Sequence, residues 1–333
     1  MAGKSGREIN ATPQNVWKSR ILSWEGILVV IFLAVLIFCK CLTPSTYNFK
    51  NVFREMPKFL SEVLLFLPMA YILMLGEIDI SVGSTVCLAA TMGVLASGAG
   101  VPVPVALIIM LAVGTICGFI NGIIIVKFPE LPSMIVTLGT QIIFRGIAEI
   151  ALGDGGSATA KCYDFLKQRI GIIPWMFYLV VILAVIFVIV SVKMRYGREL
   201  MAIGSNRKTA FYSGIKVNSV ILRAYVLMGL FCGLSAMFLV SVSGGANTTT
   251  AEGLEMNAIS MAVFGGIATT GGKGKMFGGI VAAFIIVCLR IGLSQVNTNG
   301  QVILLIIGVL LICAVLLPNI GTIIKQNQKR KAV

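Results

Sequence analysis

Residues 175–215 read WMFYLVVILAVIFVIVSVK followed by MRYGRELMAIGSNRKTAFYSGI, an apolar run that passes directly into a basic loop. A spanning helix needs about 20 apolar residues to cross a hydrocarbon core ~30 Å thick, and the first part of this stretch has that length. The segment between positions 193 and 223 is rich in Lys and Arg. Since basic residues concentrate in cytoplasmic loops, this loop is predicted to face the cytoplasm. We call residues 194–219 the basic loop, and its small, polar, patterned sequence indicates a docking element for another protein.

The composition of the whole chain is that of a membrane protein. Of its 333 residues, 57% are hydrophobic and only 12% are charged, whereas soluble globular proteins carry about 25% charged residues. The apolar runs are continuous rather than alternating, which favours helices over a transmembrane barrel. We therefore predict an all-α fold, a polytopic transmembrane helix bundle of about ten spans. The predicted spans lie near residues 25–42, 59–76, 80–98, 103–126, 133–152, 175–193, 220–243, 257–270, 276–295 and 301–318.

Charge sets the predicted orientation of the chain. With the N-terminus inside, most of the 27 Lys and Arg residues are cytoplasmic, so both termini are predicted to be cytoplasmic. The predicted domains are a cytoplasmic N-terminal segment (1–23), a transmembrane domain that contains the basic loop (24–318) and a basic cytoplasmic tail (319–333). Residues 50–58 are basic but external in this topology, and we predict an amphipathic surface helix there. The net charge of +14 is assigned to topology and anionic lipid, not to nucleic acid.

Several classes of chemistry are excluded by residues that the sequence lacks. It contains no His, the commonest metal ligand and a frequent general base. None of its eight Cys form a Cys-x-x-Cys pair, so no metal site or disulfide framework is expected. No P-loop is present, because Gly3-Lys4-Ser5 lacks the upstream glycine and Gly272-Lys273 is followed by glycine. The chain is therefore not expected to be an ATP-hydrolysing enzyme, and a partner would bind any ATP.

Acidic residues interrupt the apolar sequence between the second and third runs. Glu77 and Asp79 stand next to Ser81, and carboxylates at membrane depth are functional candidates by default. The same residues also fit a capping turn, since an acid near a helix N-terminus offsets the positive end of the helix dipole. Residues 75–83 are echoed by 264–272, where glycines interrupt a later run at a matched place, a pattern associated with substrate paths.

Three further polar features each have more than one interpretation. Arg145 and Glu149 are one helical turn apart and can form an ion pair or part of a proton relay. Glu62 and Arg290 stand alone in apolar runs, where packing or snorkelling accounts for them. The polar stretch 247–257 can contact a polyol or can simply be solvated.

The motifs together resemble one known family. Residues 76–84, GEIDISVGS, look like the Gly-Gly-Ile-Asp-Leu-Ser-Val-Gly segment of ribose-type ATP-binding-cassette importer permeases, and residues 197–214 resemble the cytoplasmic coupling loop of that family. Further matches lie at residues 136–140, 145–146 and 264–266. Two positions depart from the family pattern: Glu77 replaces the usual Gly, and 273–275 replaces a run of the Arg-Gly-Ser type. The resemblance extends from about residue 60 to 318.

The resemblance implies a multi-pass permease subunit of the bacterial inner (plasma) membrane, with no catalytic or metal site, which forms the path for a monosaccharide or a related furanosyl compound. It also implies several partners: a second permease subunit (homo- or heterodimer), two cytoplasmic ATP-binding subunits that hold ATP and Mg²⁺, an extracytoplasmic sugar-binding protein, and membrane lipid. The residues implied in ATPase coupling are Gly197, Gly204, Asn206, Ala210, Ser213 and Gly214. The candidate residues of the substrate path are Asp79, Ser81, Thr137, Asn247 and Asn257.

Two other functions are compatible with the residues alone. An ion- or proton-coupled secondary transporter would use Asp79, Arg145 and Glu149, and a membrane scaffold would need only the packing residues. The substrate also stays open, because the resembling family includes permeases for ribose, rhamnose, xylose, galactose, arabinose and the furanosyl autoinducer. The sequence around Arg145 and Glu149 leans toward the rhamnose or autoinducer branches.

Overall fold

The computed structural model of the chain describes residues 24–159 and 168–296, with scattered positions between 302 and 312. The predicted segments 1–23 and 319–333 lie outside the described residues, as does most of the predicted span 301–318. The description below refers to the described residues throughout.

The described chain is an almost entirely helical bundle. Its helices are α1 (Trp24–Leu42), α2 (Phe49–Glu55), α3 (Pro57–Met74), α4 (Val82–Gly98), α5 (Val103–Lys127), α6 (Ser133–Leu152), α7 (Trp175–Lys193), α8 (Arg195–Ser205), α9 (Arg207–Tyr212), α10 (Val217–Ser243), α11 (Leu254–Phe264) and α12 (Met276–Ser294). Its strands are β1 (Ser157–Thr159), β2 (Arg169–Ile170), β3 (Ile173–Pro174) and β4 (Gly245–Asn247), which pair antiparallel as β1 with β4 and β2 with β3.

Seven helices of the described chain are long and apolar enough to cross a membrane, namely α1, α3, α5, α6, α7, α10 and α12. Two other apolar helices, α4 and α11, are shorter. The helix predicted near 257–270 is the 11-residue α11, which begins at Leu254 and ends before a glycine-rich loop at Phe264. The predicted class of fold, a polytopic helical bundle, is confirmed. The helix predicted at the surface near 50–58 corresponds to α2.

Helices α5 and α10 share the most extensive contact between two described helices, through the glycines that recur along each of them. A Cβ added to Gly114 would lie 2.3 Å from the carbonyl oxygen of Gly229, and one added to Gly118 would lie 2.3 Å from that of Tyr225. On the other helix, a Cβ on Gly233 would lie 2.6 Å from Met110 O. Such small-residue stripes let helix backbones approach closely in lipid.

The two ends of the bundle differ in charge and structure. We call the end that holds α8 and α9 the basic end; the last residues of α3 and α11 and the first residues of α1 also lie there. The indole of Trp24 donates to the carbonyl oxygen of Phe264, 3.2 Å away, and Met74 O accepts from Gly272 N at 2.9 Å. The opposite end holds α2 and the strand pair β2–β3. Helix α3 is almost completely buried between these ends, whereas the apolar side chains of α6 are largely exposed, as expected of a helix that contacts lipid or another subunit.

Candidate functional site

The loop between α3 and α4 folds into the bundle and lies along the first turns of α6. Gly76 leaves α3 with a φ of 79°, a left-handed conformation that glycine adopts readily. The amide of Ile78 donates to Ser133 Oγ at 3.2 Å, and the amide of Ile80 donates to Thr137 Oγ1 at 3.1 Å. Hydroxyl groups of α6 therefore satisfy the backbone donors of a segment that has no helical partners.

Asp79 is the centre of a buried hydrogen-bond network. Its Oδ1 accepts from the amide of Ser81 at 2.9 Å and from the hydroxyl of Ser81 at 2.6 Å. The amide group of Asn121, on α5, donates to the same hydroxyl at 2.8 Å. All three side chains are buried. The two bonds from Ser81 to Asp79 thus close a turn just before α4. Ser81, the residue before this helix, makes no side-chain capping bond to it. The structure brings Asp79, Ser81 and Thr137 together.

The second interruption of the bundle meets the first. Helix α11 has 11 residues and is therefore about 16 Å long at 1.5 Å per residue, so it begins about halfway through the bundle. Its first turn carries Glu255, whose buried Oε2 has no hydrogen-bond partner in the described chain. A Cβ on Gly83 would lie 2.2 Å from this oxygen. The N-terminal turns of α4 and α11 are thus in contact, in the arrangement by which interrupted helices form transporter sites.

The remaining two candidate path residues lie in other hydrogen-bond networks. Asn247 Oδ1 accepts from the amide and hydroxyl of Thr249 and from the hydroxyl of Thr250, and so holds a tight turn. Asn247 O lies 3.6 Å from the Cys87 sulfur, next to α4. Asn257 Oδ1 instead accepts from Arg290 at 2.9 Å.

Arg145 has a different partner from the one its spacing predicts. Within the described residues it forms no ion pair with Glu149; its Nη1 donates to Thr248 O at 2.7 Å and to Thr250 O at 2.9 Å. The guanidinium therefore binds the turn that follows β4. A fixed cation bound to carbonyl groups is a structural clamp, so the expected ion pair with Glu149 is wrong. The alternative role in a proton relay stays a prediction.

Glu62 and Arg290 were expected to be isolated, and this expectation is also wrong. Arg290 Nη1 lies 2.6 Å from both carboxylate oxygens of Glu62, and the side chains are only 6% and 8% exposed. The pair joins α3 to α12, and the bond to Asn257 adds α11. A buried charge needs such a partner because desolvation is costly.

The basic loop folds as two short helices, α8 and α9, joined at Asn206. The Asn206 side chain caps α9 by accepting from the amide of Thr209 at 3.0 Å. Gly214 ends α9 with a φ of 80°, and the amide of Ile215 donates to Ala210 O at 3.2 Å. This is the left-handed helix ending that favours glycine. Ser213 donates to Thr209 O, so four of the predicted coupling residues shape α9 itself.

The other two predicted coupling residues anchor α8 to the bundle. A Cβ on Gly197 would lie 2.3 Å from Ser191 O, and one on Gly204 would lie 1.9 Å from Met74 O. Tyr196 donates to Val220 O at 3.4 Å, and burial raises the pKa of this phenol, which keeps its proton. Helix α8 is therefore in close contact with α7 at Gly197 and with the end of α3 at Gly204.

The outer face of α9 is exposed and carries both charge and aromatic rings. Lys208 is exposed, and Phe211 and Tyr212 are 65% and 84% exposed. Ala210 alone turns inward. Large exposed aromatic residues on a cationic helix are typical of a protein-binding surface.

Sequence reasoning missed four residues of these networks. Asn121 stands in an otherwise apolar helix, and Ser133 at the start of α6 gives no signal beyond that of a helix N-terminus. Glu255 was treated only as one member of the polar stretch 247–257, and Arg207 as one basic residue among several. Only Asn121 and Glu255 carried a detectable signal, since a polar group at membrane depth is costly. The described residues contain no group of three or more potential metal ligands.

Comparisons with known proteins agree with this architecture. Residues 57–315 match the model of a family described as the permease component of the branched-chain amino acid transport system. The chain is 32% identical over 313 residues to the autoinducer 2 import system permease protein LsrD of Salmonella paratyphi B, covering 90% of this chain and 92% of the relative. It is 29% identical over 304 residues to the LsrD protein of Klebsiella pneumoniae, covering 89% and 91%. No solved structure matches significantly.

The matched region includes every transmembrane helix from α3 to α12 and both interruptions. The chain is a multi-pass protein of the inner membrane, not an enzyme, and acts as a permease subunit of an ATP-binding-cassette importer. It belongs to the family of bacterial importer permeases described as the permease component of branched-chain amino acid transport systems.

Proposed function

We propose that this permease carries a furanosyl compound of the autoinducer 2 type, or a related monosaccharide, across the inner membrane. The two relatives described above, which cover 89% and 90% of this chain, are named for autoinducer 2 import. The interrupted region of the bundle holds hydroxyl and amide groups beside the carboxylates of Asp79 and Glu255, and such groups can hydrogen-bond a neutral polyol. A zwitterionic amino acid, the substrate type in the family's description, would need a fixed pair of opposite charges. Arg145, the cation near this region, is already bound to two carbonyl groups.

The path would run along the contact between α4 and α11. Asp79, Ser81 and Thr137 are assigned to it because they form one buried network, and Asn247 because it lies beside α4. Asn257 is assigned to its outer part through its position on α11. The single observation that carries this assignment is that two interrupted helices meet with their N-terminal turns, where polar groups are available at half the depth of the bundle.

Helix α9 is the proposed docking site of the ATPase. Short cationic helices with exposed aromatic side chains bind in grooves of partner proteins, and Lys208, Phe211 and Tyr212 point outward together. ATP and Mg²⁺ would be held by two such ATPase subunits. The proposed topology has about ten spans with both termini in the cytoplasm, which puts the basic end inside.

The remaining proposed partners complete an importer. A second permease subunit, a copy or a paralogue, would pack on α6, where Gly139 and Gly146 have no atom within 4 Å of an added Cβ and Ile142 and Ile150 are exposed. Open glycines beside exposed isoleucines leave room for a close helix contact in lipid. An extracytoplasmic sugar-binding protein would deliver the substrate to the opposite end.

The test is purification of the tagged chain from its host, followed by identification of what co-purifies and by uptake in proteoliposomes. We expect a P-loop ATPase, and ATP-dependent uptake of autoinducer 2 or ribose but not of leucine. A Lys208→Cys variant should cross-link to that ATPase. Uptake of leucine would reverse the substrate assignment, and uptake without ATP that collapses with an uncoupler would identify a secondary transporter. A chain that supports no uptake with its co-purified partners would be a scaffold.

A further inference from the structure

Three segments of the basic end meet with no side chains between them. A Cβ on Gly271 would lie 2.7 Å from Gly76 N and 3.0 Å from Gly204 Cα. Gly272 N donates to Met74 O at 2.9 Å. The contact joins the end of α8, the loop between α3 and α4, and the loop between α11 and α12. We call Gly76, Gly204, Gly271 and Gly272 the glycine junction.

An ion pair crosses beside the same junction. Arg207 Nη1, in the first turn of α9, lies 3.4 Å from Glu77 Oε1, and the two side chains are 36% and 16% exposed. Glu77 directly follows Gly76 of the junction. The pair therefore connects the helix that we assign to ATPase docking with the loop that leads to Asp79.

The segment after Glu77 leads directly into the proposed substrate path. Residues 78–81 are held to α6 by the bonds of Ile78 and Ile80, and to α5 by the bond between Ser81 and Asn121. A contact between two backbones cannot absorb a displacement by a change of side-chain rotamer. The displacement is therefore transmitted to the neighbouring segment, as in other close-packed interiors. A shift of α8 must therefore move this segment or break the junction.

We propose that Glu77 and Arg207 are positioning residues. Together with the glycine junction, they cause residues 78–81, which include Asp79, to move when α8 and α9 move. This inference rests on the proposed docking of the basic loop on the ATPase. The ion pair holds the loop to α9 in both directions of movement, whereas the glycine contact resists only compression. Loss of the pair should weaken the transmission without removing the docking.

The test is hydrogen–deuterium exchange of the full complex, purified with its ATPase, in nucleotide-free form and with MgATP and vanadate. In the wild type, we expect the exchange of peptides covering 75–81 and 195–212 to change together. In Glu77→Gln and Arg207→Gln, the change in exchange at 195–212 should persist while the change at 75–81 falls about two- to fivefold. This fold-change corresponds to the interaction free energy of a partly exposed ion pair. The double variant Glu77→Arg with Arg207→Glu should restore it.

A matched control exists on α8. Glu199→Gln removes the ion pair between Arg195 and Glu199, whose Nε and Oε1 are 2.7 Å apart, and this pair does not involve the loop between α3 and α4. Its response at 75–81 should equal that of the wild type. Gly204→Ala tests the glycine junction, since its Cβ would overlap Met74 O. The exchange response at 75–81 should be lost or shifted in this variant. Gly98→Ala, in the last turn of α4 with no atom within 4 Å of an added Cβ, should have no effect.

Each failure has a distinct meaning. If 195–212 does not respond to nucleotide in the wild type, the docking assignment is overturned and this inference with it. If 195–212 responds and 75–81 does not, only the inference is overturned. Only the inference is overturned, too, if the change in exchange at 75–81 is equal in Glu77→Gln and Glu199→Gln. The same conclusion follows if the charge-swapped variant shows as small a change at 75–81 as the single variants.

Discussion

Two of the Glu–Arg pairs in the described chain have the same chemistry in opposite surroundings. Glu62 and Arg290 are almost fully buried, with 2.6 Å between the charged atoms, whereas Glu77 and Arg207 are partly exposed and 3.4 Å apart. The first pair links three helices through Asn257. The second links a loop to a short helix at the basic end.

The difference teaches what each pair is able to do. A buried pair is strongly destabilising to break, because the remaining charge has no water, although replacing both partners by apolar groups is often neutral. A partly exposed pair contributes little to stability because water screens it. The buried pair can therefore act as a structural tie, and the partly exposed pair can change partners during a transport cycle without threatening the fold.

The largest expected effect comes from breaking the buried pair. Arg290→Ala should lower the free energy of unfolding by about 3–5 kcal/mol, because the Glu62 carboxylate is left buried and unpaired. The measurement is thermal unfolding in detergent with a thiol-reactive dye. The free cysteines that are buried, and so become reactive on unfolding, are Cys39, Cys87, Cys117, Cys232 and Cys288.

The double replacement Glu62→Met with Arg290→Met sharpens this prediction. It should recover most of the lost stability, since no charge remains and the volumes are similar. A double variant as unstable as Arg290→Ala would mean that the hydrogen bond to Asn257, rather than the buried charge, dominates the site.

The second effect concerns the contact beside the exposed pair. Gly204→Ala should cost about 3 kcal/mol, because its Cβ would lie 1.9 Å from Met74 O and overpacking against backbone is poorly relieved. Gly98→Ala, in the last turn of α4 with open space around it, should not destabilise, since alanine is the better helix former. Equal stabilities in the same thiol assay would contradict the close contact of α8 with α3.

These pairs also show which parts of the structure were predictable from the sequence. Apolar runs predicted the spans because a helix repeats its environment locally, and the basic loop was recognised from a run of residues close together in the sequence. The partners of Glu62 and Glu77 lie 228 and 130 positions away. Such contacts depend on which helices become neighbours, and no local spacing encodes that. Asp79 illustrates this difference. Its turn was predicted from residues nearby in the sequence, but its link through Ser81 to Asn121 on another helix was not.

A third effect separates charge from hydrogen bonding at Asp79. Asp79→Ala should cost about 2 kcal/mol, because the amide and hydroxyl of Ser81 lose their buried acceptor. Asp79→Asn should be milder, since an amide oxygen can accept the same two bonds. The comparison uses the thiol assay for stability and uptake of autoinducer 2 for function. An Asn variant with wild-type stability but no uptake would assign the carboxylate itself to the path; equal loss of stability in both variants would mean that the charge, not the bonds, orders the turn.

The smallest effect on stability is expected at the exposed pair. Glu77→Gln should change the free energy of unfolding by at most ~1 kcal/mol, because Arg207 stays hydrated when its partner is lost. Its effect on transport should be larger than its effect on stability, since the loop it holds leads to Asp79 while the fold rests on other contacts. The measurement is the ratio of autoinducer 2 taken up to ATP hydrolysed, compared with Glu199→Gln as a control for the loss of one partly exposed acid. A large loss of stability with an unchanged ratio would mean that Glu77, like Glu62, has a structural role. The two pairs would then differ only in how exposed they are to solvent.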